Sequence, residues 1–175
     1  MLKKISRNDW LKLAAIGLIG GSVPFLLFFQ GLSMTSAVSA SFIHKTLFIW
    51  AAIIAWPVLK EKIGRLQLVA LALLLFGTFI FAPLKNFSFG SAEILILIAT
   101  ILWALENVIA KITLRNLDAL TVAWGRMFFG SLLLIIFLLF IGNSSDLLVM
   151  DLPQFGWIAL SAVLLFGYVS LGIRL

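Results

Sequence analysis

The chain has 175 residues, of which 63% are hydrophobic and only 11% charged, and its formal net charge is +6. A soluble domain of this length cannot bury that much apolar surface, so composition excludes the ordinary globular classes and indicates an integral membrane protein. The absence of cysteine removes disulfides, thiolate metal sites and cysteine nucleophiles. The basic residues are spread along the chain, which argues against a nucleic-acid face and for topology-setting charge beside membrane helices.

Residues 13–43, 66–84, 127–145 and 152–173 contain no Asp, Glu, Lys, Arg or His. A bilayer core of about 30 Å takes roughly 20 apolar residues as one helix. Each run is therefore a span, and the first is too long for one. "MLKK" followed by an apolar run and "AVSAS" has the outline of a secretory signal. The run continues directly into more membrane-grade sequence, which fits a first span better.

Six helices are expected in chain order: 11–32, then 35–59 after the break at "GLSMTS", then 65–82 after the charged "KEKIGR". Pro83 and "LKNFSFGS" stop the third. The fourth covers 91–113, with Ser91 as N-cap and Glu93 in its first turn. The fifth covers 119–141, capped by Asp118, and the sixth covers 153–173, with Pro153 in its first turn. The connections are short, so neighbouring helices are antiparallel. Trp10, Trp56 and Trp157 fall near helix ends, as an interfacial belt requires. Trp50 and Trp103 fall deeper, as packing residues or cavity walls.

Charge orients the spans. Alternate connections hold Lys3, Lys4, Arg7 and Lys12, then Lys60, Lys62 and Arg65, then Lys111 and Arg115, then Arg174. The opposite side holds Lys85 with Asp146 and Asp151. By the positive-inside rule both termini are cytoplasmic, in the plasma membrane. Two basic residues remain, Lys45 and Arg126, and both fall inside spans.

The first and sixth helices read alike: "DWLKLAAIGLIGG" against "GWIALSAVLLFGY". If the sixth restarts a unit of five helices, the second copy crosses the membrane in the opposite sense, as the charge pattern already requires. Inverted repeats are a construction of secondary transporters, with the substrate site near the midplane between copies.

"TSAVSASFIHKTLFIWAAIIAWPVLKEKIGRLQLVALALLLFGTFIF" resembles the end of an EamA domain of the drug/metabolite transporter superfamily, with Glu61 matching that family's cytoplasmic Glu. "ILWALENVIAKITLR" is similar to the opening helix of a second such domain, and "TVAWGRMFFGSLLLIIFLL" to the helix after it, with Arg126 at the family's frequent Arg. Two positions depart from the pattern: Pro57 sits near its helix end rather than mid-helix, and Val69 or Ala70 stands where Gly is usual. The resemblance implies a ten-helix, 5+5 inverted-repeat fold. Residues 1–85 would be the last three helices of the first repeat, and 86–175 the first three of the second. Two helices are then missing on each side, for a parent of roughly 300 residues. In such a fold the helices around 11–32, 35–59, 91–113 and 153–173 line a central cavity, placing Lys45 and Glu106 on cavity-forming helices.

Five polar or aromatic residues and one pair are candidates for function. Lys45 lies about 15 Å below the outer surface, where a lysine costs roughly 2.5–3.5 kcal/mol on insertion scales. A substrate or coupling-ion role, pairing with a carboxylate, and snorkelling to the surface are the three readings. His44, the one histidine, is either an interhelical hydrogen-bonding group or a proton relay. Glu106 and Arg126 lie at matching depths on adjacent helices, as a salt bridge or as a coupling carboxylate with its partner. Asn107, Gln30 and Trp103 add hydrogen-bonding capacity and a wall. Ser33, Ala37 and Ser41, and likewise Gly17 and Gly21, are spaced by four, as close helix contact requires.

The expected function is secondary transport of a small solute by alternating access, with no cofactor and no metal. The partners are the lipid bilayer, the solute, and either a second copy or the missing helices, but no nucleic acid. A non-transporting fragment is the second reading. An intramembrane enzyme is the third, and it lacks HExxH, paired intramembrane aspartates and a GxSxG elbow.

Overall fold

The computed structural model describes residues 5–60, 64–81, 89–141 and 151–172, and every regular element in them is a helix. In chain order these are α1 (Arg7–Gly21), α2 (Val23–Leu32), α3 (Ala37–Lys45), α4 (Leu47–Leu59), α5 (Arg65–Phe81), α6 (Ser91–Thr113), α7 (Ala119–Ile141) and α8 (Leu152–Gly172). Four stretches among the described residues are long and apolar enough to cross a bilayer: Arg7–Leu32, Ala37–Leu59, Ser91–Thr113 and Ala119–Phe140. α5 and α8 contribute shorter apolar stretches, Arg65–Leu74 and Leu152–Leu164. The protein is a multi-pass membrane protein.

The first two spans are interrupted, which the apolar pattern did not anticipate. α1 starts on Ser6, whose Oγ accepts the Asp9 amide at 3.2 Å. It ends at Ser22, a residue with non-helical dihedrals (φ −136°, ψ −68°) whose hydroxyl donates back to the Leu18 carbonyl at 3.1 Å and the Gly17 carbonyl at 3.3 Å. Pro24 follows in the first turn of α2. A proline has no N–H, so the Gly20 carbonyl loses the donor that would close its helical turn.

The second interruption is at Thr46. Its hydroxyl donates to the Ile43 carbonyl at 2.6 Å and accepts the Trp50 indole N–H at 3.1 Å. Its backbone N–H also reaches the Ile43 carbonyl at 3.0 Å, a tightened last turn for α3. α4 then runs to Leu59, with Pro57 inside it, and stops on Lys60 in the left-handed region (φ 56°).

The later elements agree with the expected ranges. α6 begins one residue after its cap, which is Gly90 rather than Ser91. The Glu93 carboxylate turns back to accept the Gly90 amide at 2.9 Å. Asp118 caps α7 as expected, accepting the Thr121 amide at 2.9 Å and the Thr121 hydroxyl at 2.7 Å. Glu61, Lys62, Pro83, Lys85, Asp146 and Arg174 lie outside the described residues.

α6 is the central helix, packed against α1, α2, α3 and α4. Ala92, Ile96, Ala99, Thr100, Trp103 and Ala104 are all buried along it. Small residues on this face let its neighbours approach, which is how membrane helices associate when burial from water supplies no drive between them. α7 lies along α1, α5 touches α3 and α8 touches α7. α1 and α7 approach closely at Gly21 and Gly130: a Cβ on Gly130 would stand 2.8 Å from both the Cα and the carbonyl oxygen of Gly21.

Candidate functional site

The Gly20 carbonyl, freed by Pro24, is the natural starting point. An unsatisfied backbone carbonyl in the hydrocarbon region costs several kcal/mol, so the chain must supply a donor from elsewhere. It supplies two. The Trp103 indole N–H of α6 donates to this oxygen at 3.1 Å, and Arg126 Nη2 of α7 donates to it at 3.3 Å. The same Nη2 lies 3.7 Å from Oε2 of Glu106 on α6. Glu106 is 3% exposed, and its side chain rests on Gly20, where a Cβ would collide with it. One helix break therefore gathers a carbonyl, an indole, a guanidinium and a carboxylate between α1, α6 and α7.

Trp103 carries this knot into an aromatic cluster on its other side. Its ring meets His44 edge-on at 5.0 Å between centroids, Phe25 at 5.2 Å and Phe28 at 5.5 Å. Phe28 and His44 are themselves 5.5 Å apart. The residues come from α2, α3 and α6, and Trp103 is 8% exposed. His44 Nδ1 is buried and, among the described residues, has no hydrogen-bond partner.

Of the residues singled out in the sequence, the fold thus joins Glu106, Arg126, Trp103 and His44. Trp103 is a packing residue and the wall between the two clusters at once. Asn107 and Gln30 are exposed on the chain, and Gln30 Nε2 sits 3.9 Å from Met34 Sδ of the same turn. Lys45, the last residue of α3, is also exposed, and no ion pair joins it among the described residues. Trp50 is half-buried and borders an apolar cleft of about 290 Å³ with Phe42, Ile49, Phe89 and Leu97.

One buried carboxylate contact lay beyond the sequence reading. Glu93, 5% exposed in the first turn of α6, accepts the Thr35 hydroxyl at 2.5 Å. It ties the α2–α3 connection to the start of α6. Its signal in the sequence was a first-turn Glu, which reads as helix capping, and nothing local marks Thr35, 58 residues away.

The chain is similar to curated proteins from three organisms. The chain is 25% identical over 156 residues to an "Uncharacterized transporter" of Methanothermobacter thermautotrophicus, covering 86% of this chain and 46% of that protein. It is 26% identical over 162 residues to "Protein LicB" of Haemophilus influenzae, covering 90% of this chain and 54% of the relative. A second "Uncharacterized transporter", from Clostridium kluyveri, is 27% identical over 178 residues, covering 98% and 54%. The chain spans about half the length of the curated relatives it matches. No solved structure matches it. The EamA-like transporter family matches residues 1–82 and 90–173, nearly the whole sequence, and the chain belongs to that family.

Proposed function

We propose that the chain is part of a secondary transporter that moves a small solute by alternating access, with the site built around the two interrupted spans. The observation that carries this reading is the gathering of Glu106, Arg126 and Trp103 on the Gly20 carbonyl at the break between α1 and α2. Interrupted helices that release backbone groups near the midplane are where transporters of other folds bind substrates and coupling ions. A transporter rather than an enzyme is also what the family and the names of the relatives indicate.

The same reading takes the full protein as ten helices in two inverted repeats of five. Residues 1–85 end the first and 86–175 begin the second. The two stretches matched by the family, 1–82 and 90–173, divide at nearly the same point and support this. Six of the ten helices would then be present, with the remaining helices or a second copy covering the cavity side. In this arrangement Lys45, exposed on the chain, faces the cavity with Asn107 and Gln30. Both termini are cytoplasmic, on the strength of ten basic residues in one set of connections against Lys85 in the other.

The test is solute uptake by the full-length protein in liposomes, scanned over a panel of small metabolites. Lys45→Met should insert normally, since it removes a charge from the membrane, and should abolish uptake. Unchanged uptake would assign Lys45 a structural role. Uptake by the full-length protein but not by the 175-residue chain alone would favour the fragment reading, and uptake by neither would count against the transporter reading. For topology, single cysteines at Ser88 and Ser145, both outside the described residues, should react with an impermeant thiol reagent added outside.

A further inference from the structure

We propose that His44 is the proton-binding group of this site, and that Trp103 carries its charge state to the Glu106–Arg126 pair. The proposal rests on the transporter reading for its purpose, since it names the proton as the ion that the site binds, but not for its chemistry.

Three observations converge. First, buried polar atoms in folded proteins nearly always have a partner, so an orphan one asks for an explanation. His44 Nδ1 is such an atom, buried and unpartnered among the described residues. With the hydrogen of the neutral ring on Nε2, Nδ1 is a bare lone pair, open to a proton.

Second, the imidazole packs directly against aromatic rings through which a change in its charge is felt. His44 stands against Trp103 at 5.0 Å and Phe28 at 5.5 Å.

Third, the ring that would sense the charge is the ring that holds the polar knot. Trp103 touches His44 on one side and donates to the Gly20 carbonyl on the other. That oxygen also binds Arg126, which faces Glu106. A shift of the indole on protonation alters the share of the carbonyl left to Arg126, and with it the hold on Glu106.

The charged groups on the elements packed against α3 are few. α2 and α4 carry none, and α5 has Arg65 at its first position. α6 carries Glu93, Glu106 and Lys111, and Lys45 follows His44 on α3 itself with its side chain exposed. The step is a plain proton addition. The proton comes from bulk water, bonds to the Nδ1 lone pair and converts imidazole to imidazolium, with no other bond broken.

The experiment is nitrogen NMR of the protein labelled at histidine and tryptophan in lipid nanodiscs, titrated with acid and no solute present. His44 is the single histidine of the 175 residues, and His44→Gln identifies its resonance in a longer parent. On stepwise acidification from about pH 8 to below about pH 5, Nδ1 should move from the shift of a bare imidazole nitrogen to that of a protonated one. The Trp103 indole N–H, assigned with Trp103→Phe, should shift with the same midpoint and stop titrating in His44→Gln. A His44 resonance that holds one form across the range would overturn the proposal, as would a titrating His44 with a Trp103 signal that does not respond. Neither result depends on solute uptake, so failure of the proton site and failure of the transporter reading are separate outcomes.

Discussion

Removing Arg126 should destabilise the protein through Glu106 rather than through lost packing. Arg126 Nη2 lies 3.7 Å from a carboxylate that is 4% exposed at the side chain, while the Arg126 side chain itself is 34% exposed. At an effective dielectric of about 20, unit charges at that separation attract by about 4.5 kcal/mol. The exposed half of the pair weakens this, and the desolvation already spent on both ions offsets part of it. Arg126→Met, which keeps length and removes charge, should therefore cost about 2–3 kcal/mol, because Glu106 stays buried with no counter-charge and Gly20 loses one of its two donors. Glu106→Gln should cost less, about 1–2 kcal/mol, since Arg126 keeps the Gly20 carbonyl. The double variant should cost less than the two single changes together, by at least about 1 kcal/mol. The assay is reversible unfolding of all four proteins in the same detergent, as a double-mutant cycle. A coupling energy within about 0.5 kcal/mol of zero would mean that the pair does not interact, and the account of the knot would be wrong.

Thr35→Val should cost about 1.5–3 kcal/mol in the same assay, the range for a hydrogen bond to a charged group, because it strips Glu93 of its partner across the α2–α3 connection. Glu93→Gln should then make the Thr35 change much milder. Gly130→Leu places bulk where even a Cβ would stand 2.8 Å from the Gly21 backbone, so it should separate α1 from α7 and lower the melting temperature, with a cost of about 1–3 kcal/mol or more. At the start of α7, hydrogen bonds from the Thr121 hydroxyl and amide hold the Asp118 carboxyl below the usual carboxylate range. A lowered folded-state value means that the stability Asp118 contributes is complete above its unfolded value, near pH 4, and is lost as pH falls through the folded one. Asp118→Ala should remove about 1 kcal/mol at neutral pH and flatten that acid limb, which unfolding at a series of pH values would reveal.

Much of the architecture was legible before any coordinates. Helical ranges, caps such as Asp118 and the membrane class follow from local rules: apolar length against bilayer thickness, and side chains that bond within four residues of themselves. The matched depth of Glu106 and Arg126 was legible too, because two helices joined by a short turn keep their register. The interruptions at Ser22 and Thr46 were not. Hydropathy averages over a span and takes no account of a missing N–H at Pro24 or a hydroxyl bonding to its own turn at Thr46. Lys45 and His44 show the same limit. They are adjacent in sequence and equally anomalous in an apolar run, yet a helix turns neighbours about 100° apart. One side chain ends exposed and the other against Trp103. The tie from Thr35 to Glu93 joins residues 58 apart. Composition and spacing determined what the chain is made of and where its helices run. Only the packing of α6 among its neighbours decided which polar groups meet, because a membrane gives helices no sequence-visible drive to associate beyond small residues and unsatisfied bonds, and those find their partners only in three dimensions.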